Sequence, residues 1–235
     1  MQRQGLYPMP KGVTPIMGLE LSGTVAAIGE GVTAFKPGDE VCALTDGGAY
    51  AEYCIVPATQ ALPIPKGYSL LEAAALSETF ATVGNEEKAD VIRQLGGTPI
   101  NYKTENFAEV LKQQGGVDAV LDLVGASYFQ GNIDSLRQNG RLFLIGFMGG
   151  NIAENVDLLT IALKRIHITG STMRSRTKLE KAEITQSLRN ELWEKLGNGE
   201  IGKPIIHQVF DFKDVAKAHI EMDKGTHIGK VMLAF

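Results

Sequence analysis

At 235 residues, 44% hydrophobic and 21% charged with 27 glycines, the chain can hold one large domain or two small ones; its globular, turn-rich composition excludes a disordered or fibrous class. A net charge of −4 gives no electrostatic reason to expect nucleic acid or an anionic membrane as partner. Two cysteines, Cys42 and Cys54, are too few for a disulfide framework or a four-cysteine zinc lobe, so reduced thiols in a cytoplasmic protein are expected.

The chain opens on the polar run Met1-Gln2-Arg3-Gln4, with no apolar signal region, and no later stretch of about 18 apolar residues suggests a membrane span. The first eighty residues are broken every few positions by Gly or Pro. The β-rich runs between them, Gly23 to Ile28, Glu40 to Leu44 and Ala49 to Val56, predict short strands of a barrel-like unit. Leu62-Pro63-Ile64-Pro65-Lys66-Gly67 closes it, since two prolines force extended backbone. Ser69 is then an N-cap candidate for a helix from Leu70 to Leu76.

From about Thr82, strand-like runs alternate with helical periodicity, which predicts an α/β unit with a parallel sheet. A helix is expected from Glu86 to Leu95, stopped by Gly96-Gly97. Val117 to Leu121 reads as a buried strand, followed by strands at Arg141 to Ile145 and Ile166 to Gly170. Thr177 and Glu180 form a capping-box pattern ahead of a helix whose apolar face is Ile184, Leu188, Leu192 and Leu196, ending at Gly197. A last helix, Phe212 to Lys224, ends at Gly225, and Lys230 to Phe235 is a terminal strand. These readings divide the chain into 1–66, 67–206 and a C-terminal helix and strand at 207–235.

Several segments occur in a fixed order: Arg3-Gln4-Gly5-Leu6-Tyr7-Pro8, Gly18-Leu19-Glu20-Leu21-Ser22-Gly23-Thr24-Val25, Phe35-Lys36-Pro37-Gly38-Asp39-Glu40-Val41, Gly48 to Val56, Ile64-Pro65, and Leu71-Glu72-Ala73-Ala74-Ala75. This succession resembles the zinc-free, zeta-crystallin-like quinone oxidoreductases of the medium-chain dehydrogenase/reductase superfamily. The resemblance implies a GroES-like β-rich catalytic domain over 1–66 and a Rossmann-like doubly wound cofactor domain over 67–206, with 207–235 returning to the catalytic domain. It also implies NADPH, a quinone or α,β-unsaturated carbonyl substrate, and a homodimer. Zinc-dependent relatives carry His where this sequence has Leu19, a side chain that cannot bind metal. The cysteines and His167, His207, His219 and His227 lack ligand spacing, so no metal is expected.

The resemblance also assigns site residues. Gly84, Asn85 and Lys88 match the loop that holds the adenosine 2′-phosphate, where an NAD-preferring site would place an acidic side chain. Tyr102 matches a tyrosine beside that phosphate. Val124, Gly125, Gly146, Phe147 and Met148 flank the nicotinamide and its ribose, beyond the carboxyl ends of two strands. His227 reaches the cofactor from the last loop, and Tyr7 is the substrate-cleft candidate.

One part of the pattern is missing. Phe80 runs directly into Ala81-Thr82-Val83-Gly84, where relatives place a helix, the first strand of the sheet, a glycine-rich turn and another helix. A strand with its crossover helix needs roughly 30 residues. The pyrophosphate therefore lacks both its glycine turn and its helix N-terminus. The chain also begins inside the catalytic-domain pattern. An internally deleted product, a chain from which a segment has been left out and one that folds around the gap are equivalent at this level. A non-catalytic scaffold and an enoyl-thioester reductase are the rival functions.

Overall fold

The protein is described by a computed structural model covering residues 12–74, 82–94 and 97–235. In chain order the elements are β1 (Glu20–Thr24), β2 (Glu40–Leu44), β3 (Ala61–Pro63), α1 (Leu70–Ala74), β4 (Thr82–Val83), α2 (Glu86–Gln94), β5 (Ile100–Asn101), α3 (Phe107–Gln113), β6 (Val117–Asp122) and α4 (Phe129–Ser135). There follow β7 (Leu136–Leu144), α5 (Leu158–Lys164), β8 (His167–Gly170), α6 (Lys178–Gly197), β9 (Ile206–Asp211), α7 (Val215–Lys224) and β10 (Lys230–Ala234). The chain divides into two compact units, Met1–Thr79 with Arg174–Phe235, and Phe80–Met173.

In the first unit β1, β2 and β3 form an antiparallel sheet, with Ser22 opposite Cys42 and Cys42 opposite Leu62. The turn into β2 is set by sequence: Pro37 fixes φ, Gly38 takes φ 94°, and Asp39 N–H donates to Lys36 C=O at 3.1 Å. Cys42, Leu62 and Ala73 make the core, with Ile64 and Trp193 packed on it, and the Trp193 indole N–H donates to Pro63 C=O at 3.1 Å. Ser69 caps α1 as expected, exchanging hydrogen bonds with Glu72. β9 and β10 form a parallel pair connected through α7, which stops at left-handed Gly225 (φ 66°).

All strand pairs of the second unit are parallel, as the alternating pattern predicted, but they form two sheets: β5-β4 and β6-β7-β8. A doubly wound order of 3-2-1-4-5-6 with strand 1 removed leaves those two groups, 3-2 and 4-5-6. Ile133, Leu136 and Leu142, each no more than 2% exposed, make the core where α4 and α5 cover β7. Val83, Ala89 and Ile92 form a smaller cluster under α2.

Several expectations are corrected. Ala49 to Val56 is irregular: among the described residues no strand pairs with it, and Tyr53 and Ile55 lie 79% and 96% exposed. β1 begins at Glu20 and leaves its ladder after Thr24, because Val25 bonds the Gly38-Asp39 turn. β6 is half open, with Asp118, Ala119 and Leu121 exposed, since no strand flanks its outer edge among the described residues. On α6 the predicted apolar face is only partly used: Ile184 and Leu188 are exposed, while Lys181, Trp193 and Leu196 turn inward. The final helix starts at Val215, after a tight turn over Phe212–Asp214. Leu76 and Leu95, the expected ends of the first two helices, lie outside the described residues.

Candidate functional site

The second unit gathers its candidate residues at the carboxyl ends of its strands, the edge where doubly wound sheets bind ligands. One group follows β4. Asn85 caps α2, its side-chain oxygen accepting from Lys88 N–H at 2.9 Å. The Tyr102 hydroxyl lies 2.5 Å from where a Cβ on Gly84 would stand, so only glycine allows the ring this close. Gly84, Asn85, Lys88 and Tyr102 are thus neighbours, and Tyr102 is half exposed.

The other group is built from the turns after β6 and β7, which are tied to each other. Gly146 N–H donates to Asp122 C=O, Met148 N–H to Leu123 C=O at 3.1 Å, and Gly149 N–H to Val124 C=O at 2.7 Å. Gly125 has φ 82°, and a Cβ there would meet Gly150 O at 2.6 Å and the Phe147 ring at 3.0 Å. Val124, Gly125, Gly146, Phe147 and Met148 are therefore brought together, with Phe147 41% and Met148 72% exposed.

Asp122, to which the sequence reading gave no role, closes β6 and holds this turn in place. It is 4% exposed, and its carboxylate accepts from Val124 N–H at 2.7 Å, Gly125 N–H at 3.1 Å and the Asn132 side-chain amide at 2.9 Å. An aspartate two and three residues ahead of a turn, with Gly in third place, was the available signal. Tyr128 stacks on Phe107 with centroids 4.7 Å apart, and burial, followed by Tyr102 and Asp122, raises its phenol above the ordinary value.

His227 belongs to the first unit, in the loop before β10, its ring 6.1 Å from that of His207. Tyr7 lies outside the described residues. Among the described residues no three His, Cys, Asp or Glu side chains are grouped to hold a metal, and burial pushes the Cys42 thiol up to about 11, away from the thiolate form that binds metals. No helix among the described residues is long and apolar enough to cross a membrane.

Comparison with known proteins settles the family. Residues 95–233 match the profile described as zinc-binding dehydrogenase, and residues 1–66 match the alcohol dehydrogenase GroES-like domain. The chain belongs to the medium-chain dehydrogenase/reductase superfamily, a family of oxidoreductases. It is 26% identical to quinone oxidoreductase-like protein 2 of Bos taurus over 280 residues, covering 98% of this chain and 79% of that protein. Identity is 27% to a 2-haloacrylate reductase of Burkholderia sp, over 97% of this chain and 83% of the relative. A solved quinone oxidoreductase of Pseudomonas syringae pv. Tomato superposes with a TM-score of 0.83 at 26% identity, covering 99% of this chain and 86% of that one.

The matches also give a measure of what this chain lacks. The bovine alignment runs over 280 positions although this chain has 235 residues in all, so no fewer than 45 positions inside the matched span have no counterpart here. The two profiles leave 67–94 between them, the stretch containing the junction Phe80-Ala81-Thr82.

Proposed function

We propose that the chain is an NADPH-dependent reductase of quinones or α,β-unsaturated carbonyl compounds, with nucleotide affinity lowered by the missing strand, glycine turn and helix. The observation that carries this reading is the pair of interlocked turns at 122–125 and 146–150, packed so closely that Gly125 has no room for a side chain. Backbone without Cβ at the carboxyl ends of parallel strands suits the close approach of a ribose and a flat ring. The names of the two relatives support the acceptor class, since a quinone and a 2-haloacrylate both carry a carbon–carbon double bond conjugated to a carbonyl.

In this reading Lys88 and Asn85, with Tyr102 alongside, hold the adenosine 2′-phosphate. Val124, Gly125, Gly146, Phe147 and Met148 orient the nicotinamide end. The resemblance adds His227 as a cofactor residue and Tyr7 as an acceptor residue. The nicotinamide, when bound, supplies a hydride, that is, two electrons with one proton, to the acceptor; the second proton comes from solvent, so no protein acid is required. Positioning and exclusion of water are the chain's own contribution. A cytoplasmic homodimer joined along the exposed β8 edge belongs to the same proposal.

The divided sheet favours a second reading, a scaffold that has lost nucleotide binding. A glycine turn and a helix N-terminus on the pyrophosphate together contribute about 4 kcal/mol if each charge-assisted contact gives about 1.5–3, roughly a thousandfold in affinity. Calorimetric titration of the 235-residue protein with NADPH, followed by turnover assays on a quinone, a 2-haloacrylate and an enoyl thioester, tests both. Weak but saturable NADPH binding with slow quinone or enone reduction is expected. Low-micromolar binding would remove the claimed impairment; no binding and no NADPH consumption would establish the scaffold. Preference for the thioester would replace the acceptor class.

A further inference from the structure

The sheet of the Phe80–Met173 unit is open at a position that its own connectivity defines. β4 has β5 on one side and β6 has β7 on one side; among the described residues neither carries a ladder on its other edge. β5 is joined to β6 through α3, which packs against β5 and α4, so the chain crosses over rather than turning back. In the doubly wound order the strand that follows such a crossover is an interior one, and interior parallel strands are covered on both faces. β6 is not covered: Leu121 is 59% exposed, its register partner Phe143 on β7 is 36% exposed, and Ile145 just beyond is 37% exposed. An unpaired edge beside an apolar face is a template for strand addition.

We propose that the free edges of β4 and β6 accept one β-strand in trans, from a second polypeptide that presents an apolar strand followed by a helix. Three observations select this occupant. At least 45 positions of the bovine relative have no counterpart here, which is enough for one strand with its crossover helix at about 30 residues. Both edges belong to parallel sheets, and a parallel neighbour cannot be supplied by a tight turn from either one. The open face carries the exposed apolar side chains Leu121, Phe143 and Ile145, with Arg141 opposite Ala119 at its margin, so the strand that covers it is mainly apolar. Nothing in this proposal depends on nucleotide binding or catalysis.

The test uses the full 235-residue protein without nucleotide. The probe is a fluorescent synthetic peptide copied from the bovine relative, spanning about 45 positions before its counterpart of Thr82, with a scrambled version as control. Fluorescence anisotropy should show saturable binding of the native-order peptide alone. Hydrogen exchange of the unsubstituted protein should slow in Val117–Asp122 and at Thr82–Val83 when the peptide is bound. Leu121→Glu should weaken binding at least about tenfold, the scale of returning one leucine side chain to water. Leu163→Glu, on the exposed face of α5, should leave binding unchanged. Equal binding of the scrambled peptide, protection confined to other segments, or equal affinities for Leu121→Glu and the unsubstituted protein would each overturn the proposal.

Discussion

The carboxylate of Asp122 takes two backbone N–H groups and the Asn132 amide inside a site that water barely reaches. Asp122→Ala leaves those donors unpaired in a buried place, and each such orphan costs about 1–3 kcal/mol. Chemical denaturation should therefore report a loss of about 2–4 kcal/mol, larger than for Asp122→Asn, which keeps one accepting oxygen. Lys88→Ala acts on a ligand rather than on the fold. It should cost about 1–3 kcal/mol of NADPH affinity, the scale of one charge-assisted hydrogen bond, and leave NADH almost untouched in parallel calorimetric titrations. Equal losses for both nucleotides would remove Lys88 from the phosphate site. At this scale the sequence was informative where chemistry is local. Gly84 next to Asn85, and Gly125 three residues after Asp122, set their turns locally, glycine by lacking a Cβ and Asn85 and Asp122 by accepting from backbone N–H groups two or three residues on. It was uninformative about Asn132, whose role depends on α4 bringing it back to β6 ten residues later.

Helix α6 shows how far local signals extend. Thr177 and Glu180 form a reciprocal cap: Thr177 Oγ1 accepts from Glu180 N–H at 3.3 Å, and Glu180 Oε2 accepts from Thr177 N–H at 2.8 Å. Thr177→Ala should lower stability by about 1 kcal/mol, a shift of about 2–4 °C in Tm for a protein of this size. The capping motif was legible because it closes within four residues. The burial along the face of the same helix was not: Lys181, on the same side as Ile184 and Leu188 at spacings of three and seven, is 7% exposed and reaches Asp46 at 2.6 Å, while Ile184 and Leu188 remain 37% and 41% exposed. Ala49 to Val56 failed in a similar way, for a β-rich run becomes a strand only when another edge meets its backbone groups. β6 is the converse case. Its position and direction were legible, whereas its exposure follows from a neighbour that the sequence leaves out.

Across the whole molecule, acidic groups are held ionised by their partners. The Ser69 N–H, then Lys203 and the Ser69 hydroxyl, depress Glu72 from 4.5 to about 2. Glu180 is depressed by the Thr177 backbone, Glu221 by Lys224, Asp39 by Lys36 and Asp157 by Thr160. A carboxylate depressed on folding contributes stability above its unfolded value and loses it as pH falls through the folded one. Tm should thus stay level above about pH 5 and fall steadily toward pH 2, and Glu72→Gln should flatten part of that slope. Exhaustive chelation should leave Tm unchanged, since Leu19 stands where zinc-dependent relatives carry histidine; stoichiometric zinc in the purified protein would contradict this. The two units also differ in how they are threaded. Phe80–Met173 is one uninterrupted stretch, whereas its companion joins Met1–Thr79 to Arg174–Phe235. Asp46 awaits Lys181, Glu72 awaits Lys203, and Glu20 awaits Lys230, separations of 135, 131 and 210 positions. On a ribosome adding about 5–20 residues per second, the first-made sheet emerges without Trp193 to cover Cys42 and Leu62, and must wait several seconds for it. The central unit can fold while the β1–β3 sheet is still uncovered, so that sheet is secured only after its companion unit and is the part most in need of a chaperone.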